Sequence, residues 1–545
     1  MNTEELSLYL LIVIMSMAIC MAIIPVMMRI APYIGMIDSP DKRKVHTAAI
    51  PRSGGVGIVV GTLVPLIIWL DFSRFSTSLI IGCSILLVFG VWDDIRNIRP
   101  VLKFIGQIMA AIIVVYYGDI YVFHFPLLGL EELPEYIGRP FTVIAIVGMV
   151  NALNLSDGLD GLAGGEALIS LAAIAYLAYQ FEGGIAIAVA AATIGGIFGF
   201  LRFNSHPARI FMGDTGSQTL GFILAVLAVY LTQQVNPLVS PVVALLLLGL
   251  PVVDSLVVFY LRAKRGDSLV VAAKDHLHHR LLALGFYHYE SVMIIYSIQI
   301  ILISSAVLFP YESDFLLISI YFGICLLIFS ILAYTEKSNW HAHGGVADSS
   351  LFLSDVLKKH DGLTILPYRI LKAGMSLFII AAAVMSNDVP IDLGVSSLVL
   401  FVFLLVTILS SWFGDNLYRL LMFVTIGFSV YLLSTYPPSW LLEQISLIYV
   451  FFVVITLISF ITIRVTVKDQ FQITPLDYLV VIMAVFVGMV PGIEHGTSSM
   501  VWMVVQMIIL FYACELVIQN MRSQLNSFTG AAGLALVLIA YRGLI

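Results

Sequence analysis

The sequence predicts an all-α, polytopic integral membrane protein. Hydrophobic residues fill 60% of its 545 positions and charged residues only 11%, against roughly 25% charged in a soluble domain. Apolar runs of the ~20 residues that cross a bilayer as a helix recur about 18 times. The basic residues gather in alternate connections between those runs, as in a chain threaded repeatedly through a membrane.

In order, the first group of runs lies at 5–30, 54–70, 76–92, 101–117, 141–156, 162–180, 184–201, 216–232, 240–261, 290–309 and 315–334. A second group lies at 370–386, 395–412, 417–434, 440–463, 475–490, 498–518 and 527–541. The expected fold is a bundle of about 11 spans followed by about seven further transmembrane helices. The first run starts near Leu6 with no basic segment before it and no small-residue cleavage site. A retained helix is expected there rather than a signal peptide.

With the N-terminus outside, Arg74, Arg139 and Arg542 are the only ones of the 27 lysines and arginines to fall outside. The positive-inside rule favours that orientation. Outer connections are short except 118–140, where GDIYVFHFPLLG suits a small hairpin. The polar loops 31–53, 93–100, 151–165, 202–215 and 262–289 then meet at the cytoplasmic face, and such convergence marks a site. A boundary falls near 335. Residues 1–335 carry the reactive side chains, 336–369 form a polar cytoplasmic connector, and 370–545 form an additional transmembrane domain of unassigned role. The four cysteines lie inside apolar runs and form neither a disulfide framework nor a zinc pattern.

The most informative loop is NALNLSDGLDGLAGG, 151–165, directly after the apolar run Phe141–Val150. Asn151, Asn154, Asp157 and Asp160 recur every third residue, so on a continuing helix successive members are surface neighbours. Carboxylates at a membrane edge are costly and mark a polar site or pathway. The glycines behind them break the helix and let backbone approach a ligand. The residue order of a calcium loop is absent.

Four further motifs carry chemistry. Asp93 and Asp94 in FGVWDDIRNIRP close the third span. Adjacent carboxylates repel, so a cation belongs beside them: a metal ion, Lys103 or Arg96. The plainer reading is a solvated pair or a helix cap. In FNSHPARIFMGDTGS, 203–217, Asp214 lies on a glycine-bounded turn opening the eighth span, where the amides of Thr215 to Ser217 face any bound anion. That arrangement suits a Mg²⁺–diphosphate pair. Phe211 offers an aromatic face, or simply a membrane anchor.

In KDHLHHRLLALGF, 274–286, His276, His278 and His279 with Lys274 and Arg280 make a cationic, hydrogen-bonding cluster suited to phosphate. Their spacing, without a cysteine, matches no common zinc pattern. SPDKRKVHTAAIPRSGG, 39–55, adds Lys42 and Arg52, partly as a topology signal. Acids for a metal, bases for phosphates and a membrane location are the mixture that a membrane enzyme handling a nucleotide diphosphate and a lipid phosphate would need.

In order and spacing across 1–335, these motifs closely resemble those of the polyprenyl-phosphate N-acetylhexosamine-1-phosphate transferases. The HLHH pattern is similar to that of the branch beginning O-antigen, common-antigen and teichoic-acid synthesis. The muramoyl-pentapeptide branch, the alternative assignment, usually carries three consecutive histidines. Residues 336–545 have no counterpart in the usual members.

The resemblance implies transfer of N-acetylhexosamine 1-phosphate from a UDP-sugar, foremost UDP-GlcNAc, to polyprenyl (undecaprenyl) phosphate, releasing UMP. Mg²⁺ is the implied cofactor, with Mn²⁺ as a substitute. Asp93, Asp94, Asp157 and Asp160 form the implied catalytic set, with Asp214 and Asp157 as metal ligands. Asn151, Asn154, Asn204, Phe211, His276, His278, His279, Arg280, Lys42 and Arg52 are the implied substrate contacts, Phe211 stacking on uracil.

The implied location is the bacterial inner membrane with the site on the cytoplasmic face. A second copy or a downstream glycosyltransferase is the expected protein partner, and no nucleic acid is expected. A transporter of lipid-linked sugar would show inverted repeats and charges at the membrane midplane. No repeat is visible, and the charges sit at span ends.

Overall fold

The computed structural model describes residues 3–38, 49–125, 132–266, 275–338, 340–342, 361–409, 414–444, 446–465, 500–519 and 526–545. Lys42, Lys274 and the run expected at 475–490 lie outside the described residues. Among those described, thirteen helices are long and apolar enough to cross a membrane, and four shorter apolar helices accompany them. One strand pair occurs among the described residues, Ile37–Asp38 against Ile50–Pro51. The protein is an all-α polytopic membrane protein.

The chain forms two compact units, one holding the described residues up to Ala342 and the other those from Asp361 onward. In the first unit the helices are α1 (Thr3–Ile34), α2 (Gly54–Trp69), α3 (Arg74–Arg96), α4 (Pro100–Ile112), α5 (Glu135–Ser156) and α6 (Leu162–Gln180). They continue with α7 (Gly184–Asn204), α8 (Gly213–Tyr230), α9 (Val242–Arg265), the short α10 (Leu277–Ala283), α11 (His288–Leu308) and α12 (Asp314–Lys337). A π-helical turn extends both α4 and α8.

Helix α8 is the axis of this unit. Its span is 94% buried, whereas that of α12 is 22% buried and therefore peripheral. Helices α2, α3 and α5 pack against it. The contact with α3 depends on Gly90, because a Cβ there would lie 2.5 Å from the Thr215 Cα. Backbone thus meets backbone at the first turn of α8, and Asp93 and Asp94, one turn further along α3, arrive beside it.

Several boundaries differ from expectation because hydropathy marks where a helix enters the apolar zone, not where it starts. The helix expected from 370 begins at Asp361, inside the expected connector, and the run expected at 440–463 is split into Ser439–Glu443 and Ser446–Val465. Helix α5 begins at Glu135 rather than 141. Its first turns are held by Arg139, which donates to Val115 O at 2.7 Å, Asp119 at 2.8 Å and Glu135 at 3.2 Å. In the preceding connection His124 bridges Glu132 in antiparallel fashion. The stretch 262–289, expected as loop, contains α10.

The second unit contains helices at Asp361–Met385, Ile391–Leu409, Gly414–Thr435, Ser439–Glu443, Ser446–Val465, Met500–Gln519 and Ser527–Leu544. Its own core includes Met375, Met422, Ile426, Leu536 and Ile539. A buried Tyr418–Thr529 hydroxyl pair at 2.6 Å ties two of its helices.

Candidate active site

The junction of α3 and α8 sets the geometry. Asp94, 1% exposed, accepts the Asp214 amide on Oδ1 at 2.9 Å and the Thr215 amide on Oδ2 at 3.1 Å. Thr215 Oγ1 donates to the same Oδ2 at 2.6 Å. Free amides at a helix start attract an anion, and here the chain supplies that anion itself. The first amides of α8 are therefore committed to Asp94 rather than open to a phosphate.

Asp93 accepts the Ile98 amide on Oδ1 at 2.8 Å. Its Oδ2 lies 2.6 Å from Lys103 Nζ, which also lies 2.8 Å from Asp214 Oδ2. Asn154 donates to Asp214 Oδ1 at 3.2 Å, and Gln218 to its Oδ2 at 3.0 Å. The network runs on into the bundle: Gln107 donates to Gln218 at 3.1 Å, and Asn151 to Gln107 at 2.7 Å. Asn151 thus reaches Asp214 through two buried glutamines. Sequence reasoning passed over both, although each is a polar residue inside an apolar run.

The expected continuous stripe is interrupted. Helix α5 ends at Ser156, and Asp157 and Asp160 lie in the turn before α6 rather than on its helical face. Gly161 takes φ 81° and bends the chain. Its amide donates to Asn204 Oδ1 at 2.8 Å, and its carbonyl accepts Tyr296 OH at 2.7 Å. Asn204 therefore shapes the turn through the backbone.

Asp160 pairs with His206 Nδ1 at 2.7 Å and accepts the Ala208 amide at 3.0 Å, joining the turn to the 205–212 loop. Burial opposes its ionisation, but those two bonds prevail and hold it below the usual carboxylate range. Asp157, half-buried, is pushed up to about 7 by burial and then by the charges of Asp214, Asp160 and Asp94. Within this turn Asp157 is held above the usual carboxylate range and Asp160 below it.

The histidines reach the same turn. A Cβ on Gly158 would lie 2.1 Å from His278 Nε2, so the imidazole rests directly on that glycine. His278 is 3% exposed, and among the described residues its Nε2 has no hydrogen-bond partner. Burial, then His279 and His276, lowers its pKa to about 3. The expected cationic cluster is thus corrected at this position: His278 is a neutral imidazole at neutral pH. His279 lies beside it, ring centroids 4.2 Å apart.

Arg280 forms a two-pronged pair with Glu336 at 2.7 and 2.8 Å and ties α10 to α12, so its fork is committed within the chain. Arg52 donates to Asn97 Oδ1 at 3.3 Å near Asp38. The half-buried Phe211 joins the same stretch through backbone, its amide donating to Pro51 O at 2.8 Å.

The donor set suits a hard cation. Asp93, Asp94 and Asp214 each offer an oxygen, all within 4.8 Å of one another, and Lys103 shows that the point demands positive charge. All-oxygen ligation fits Mg²⁺. Asp157 is not in that trio. Asp160, His206 and His288 are equally close together. Their two rings are stacked at 4.1 Å, however, so their in-plane lone pairs run side by side rather than converging.

The comparisons agree with this geometry. The sequence model of glycosyl transferase family 4 matches residues 76–232, which hold Asp93, Asp94, the 151–160 turn and Asp214. The probable undecaprenyl-phosphate N-acetylglucosaminyl 1-phosphate transferase of Bacillus subtilis (strain 168) is 34% identical over 318 residues, 58% of this chain and 88% of that protein. The chain belongs to glycosyl transferase family 4.

Two further relatives show lower identity. The undecaprenyl-phosphate alpha-N-acetylglucosaminyl 1-phosphate transferase of Escherichia coli (strain K12) is 29% identical, covering 57% of this chain and 86% of that protein. The decaprenyl-phosphate N-acetylglucosaminephosphotransferase of Mycolicibacterium smegmatis is 30% identical, covering 48% and 72%. This family 4 chain is accordingly a membrane-embedded transferase, and its acids and histidines belong to an enzyme.

Proposed function

We propose that this enzyme transfers N-acetylglucosamine 1-phosphate from UDP-GlcNAc to undecaprenyl phosphate, releasing UMP. The reading places the site on the cytoplasmic face of a bacterial inner membrane and makes Mg²⁺ the cofactor. One observation carries it: in a chain 34% identical to such a transferase, Asp93, Asp94 and Asp214 converge from two helices on one point. The names of the relatives favour N-acetylglucosamine over a muramoyl-pentapeptide. The strong sorting of basic residues supports the cytoplasmic side.

Asp214 and Asp93 would hold the metal, which when bound offsets the charge on the diphosphate. Lys103 supplies a fixed positive charge at the same point, and two anions must meet there. A phosphate monoester has a second pKa near 6, so the lipid phosphate is largely dianionic and needs little help from a base. Asp157 can accept the residual proton. One lipid-phosphate oxygen bonds to the β-phosphorus as the bond to the UMP oxygen breaks. His278 and His279 would lie beside the sugar or the diphosphate.

A covalent phosphosugar–aspartate intermediate is the alternative; a lipid phosphate that is already largely dianionic needs no such relay, which supports direct attack. The test is an assay of purified full-length protein with labelled UDP-GlcNAc, undecaprenyl phosphate and Mg²⁺. Label should enter the lipid with matching UMP release, and chelation should stop it. No transfer to lipid, or exchange of UMP into UDP-GlcNAc without lipid, contradicts the reading or its direct step respectively.

A further inference from the structure

Asp254 has no part in the chemistry above, yet it is an acid 6% exposed inside the apolar helix α9. A carboxylate in a membrane span is costly and needs partners. Among the described residues it has two, both at the start of α10. His276 Nδ1 lies 2.8 Å from its Oδ2, and the Leu277 amide donates to its Oδ1 at 2.8 Å. His276 is the N-cap residue of α10, and Leu277 opens the helix. One buried carboxylate therefore holds both the first imidazole of the HLHH motif and the origin of the helix carrying the others.

We propose that Asp254 is a positioning residue for the transfer reaction. By accepting a proton bond from His276 Nδ1 it fixes the tautomer whose lone pair is at Nε2. By accepting from Leu277 it sets where α10 begins, and hence where His278 rests on Gly158. The inference builds on the proposed transfer reaction, because its kinetic consequence is read there. An asparagine at 254 can accept only one of the two bonds. The Leu277 amide can only donate, so the side-chain NH₂ must face His276 Nδ1. The imidazole proton then moves to Nε2, while the helix anchor stays. In the Ser-His-Asp site the corresponding exchange costs about 10⁴ in kcat through the wrong tautomer.

The experiment uses full-length protein in nanodiscs, with UDP-GlcNAc and undecaprenyl phosphate as substrates. Asp254→Asn should lower kcat about 100-fold or more, within the cost of a wrong histidine tautomer, with little change in KM for UDP-GlcNAc. Asp254→Glu should recover part of the loss. In a His276→Ala background Asp254→Asn should cost nothing further, since the residue acts through that ring. Losses that simply multiply, or an Asp254→Asn protein as fast as wild type, would overturn the proposal. A second arm needs no turnover: deuterium uptake of peptide 275–284 should rise in Asp254→Ala and stay near wild type in Asp254→Asn. Unchanged uptake in Asp254→Ala overturns the anchoring role even if the transfer reading itself fails, and absent wild-type transfer overturns that reading alone.

Discussion

Lys103 Nζ lies 2.8 Å from Asp214 Oδ2 and 2.6 Å from Asp93 Oδ2, so one ammonium holds two helices' carboxylates together. In Lys103→Met those acids lose their shared counter-charge, and unpaired buried charge is strongly destabilising. Thermal unfolding in chelator should fall by several degrees. Added Mg²⁺ should raise the midpoint more in the variant than in wild type, while turnover drops at least tenfold. An equal Mg²⁺ shift in both proteins would separate Lys103 from the metal site.

Thr215, fully buried, gives Asp94 its 2.6 Å hydroxyl bond. Thr215→Val keeps the shape and removes the donor, costing about 1.5–3 kcal/mol for a bond to a charged group. The unfolding midpoint should drop by a few degrees, and Thr215→Ser should restore most of it. Unchanged stability in the valine variant would mean the bond contributes little.

Much of this was legible beforehand. Asp93, Asp94, Asp157 and Asp214 announced themselves because charge at the end of an apolar run is expensive, and His278 because it lies in a cluster of three histidines. The roles were less visible, since pairing across 56 to 121 residues leaves no local trace. Nothing near Asp94 states that it closes α8, and nothing near Arg280 points to Glu336. Gln107, Gln218 and Asp254 were missed although each interrupts an apolar run. Single polar residues carry a weaker signal than a motif. The helical stripe was overextended because its spacing continues past Ser156, whereas the hydrogen bonds that bend the chain at Gly161 come from α7 and α11.

Gly158→Ala tests the seat of His278. The added carbon would lie 2.1 Å from Nε2, so the imidazole must move. Turnover should fall by about 10–1,000-fold, the range for a displaced reactive group, with the protein still monodisperse. Wild-type turnover would show that His278 need not rest there.

His278 also predicts an acid limb in stability. Its pKa is about 3 when folded and near 6.5 when free, so the unfolded chain binds the proton more readily. Stability is therefore lost progressively as pH falls below about 6.5, down towards 3. Asp157 has the opposite sign: its pKa of about 7 means stability is lost as pH rises from about 4 through 7. Comparing wild type with His278→Gln isolates the histidine. The variant's midpoint should fall less between pH 6.5 and 4.5, and parallel curves would contradict a buried neutral ring.

The central claim is that distant acidic stretches build one divalent-cation site. Electron paramagnetic resonance of Mn²⁺ titrated into full-length protein measures it most directly. The account predicts one bound ion per chain, displaced by Mg²⁺ and lost in Asp214→Ala while the protein stays folded. An absence of bound Mn²⁺, or binding that survives Asp214→Ala unchanged, would contradict it.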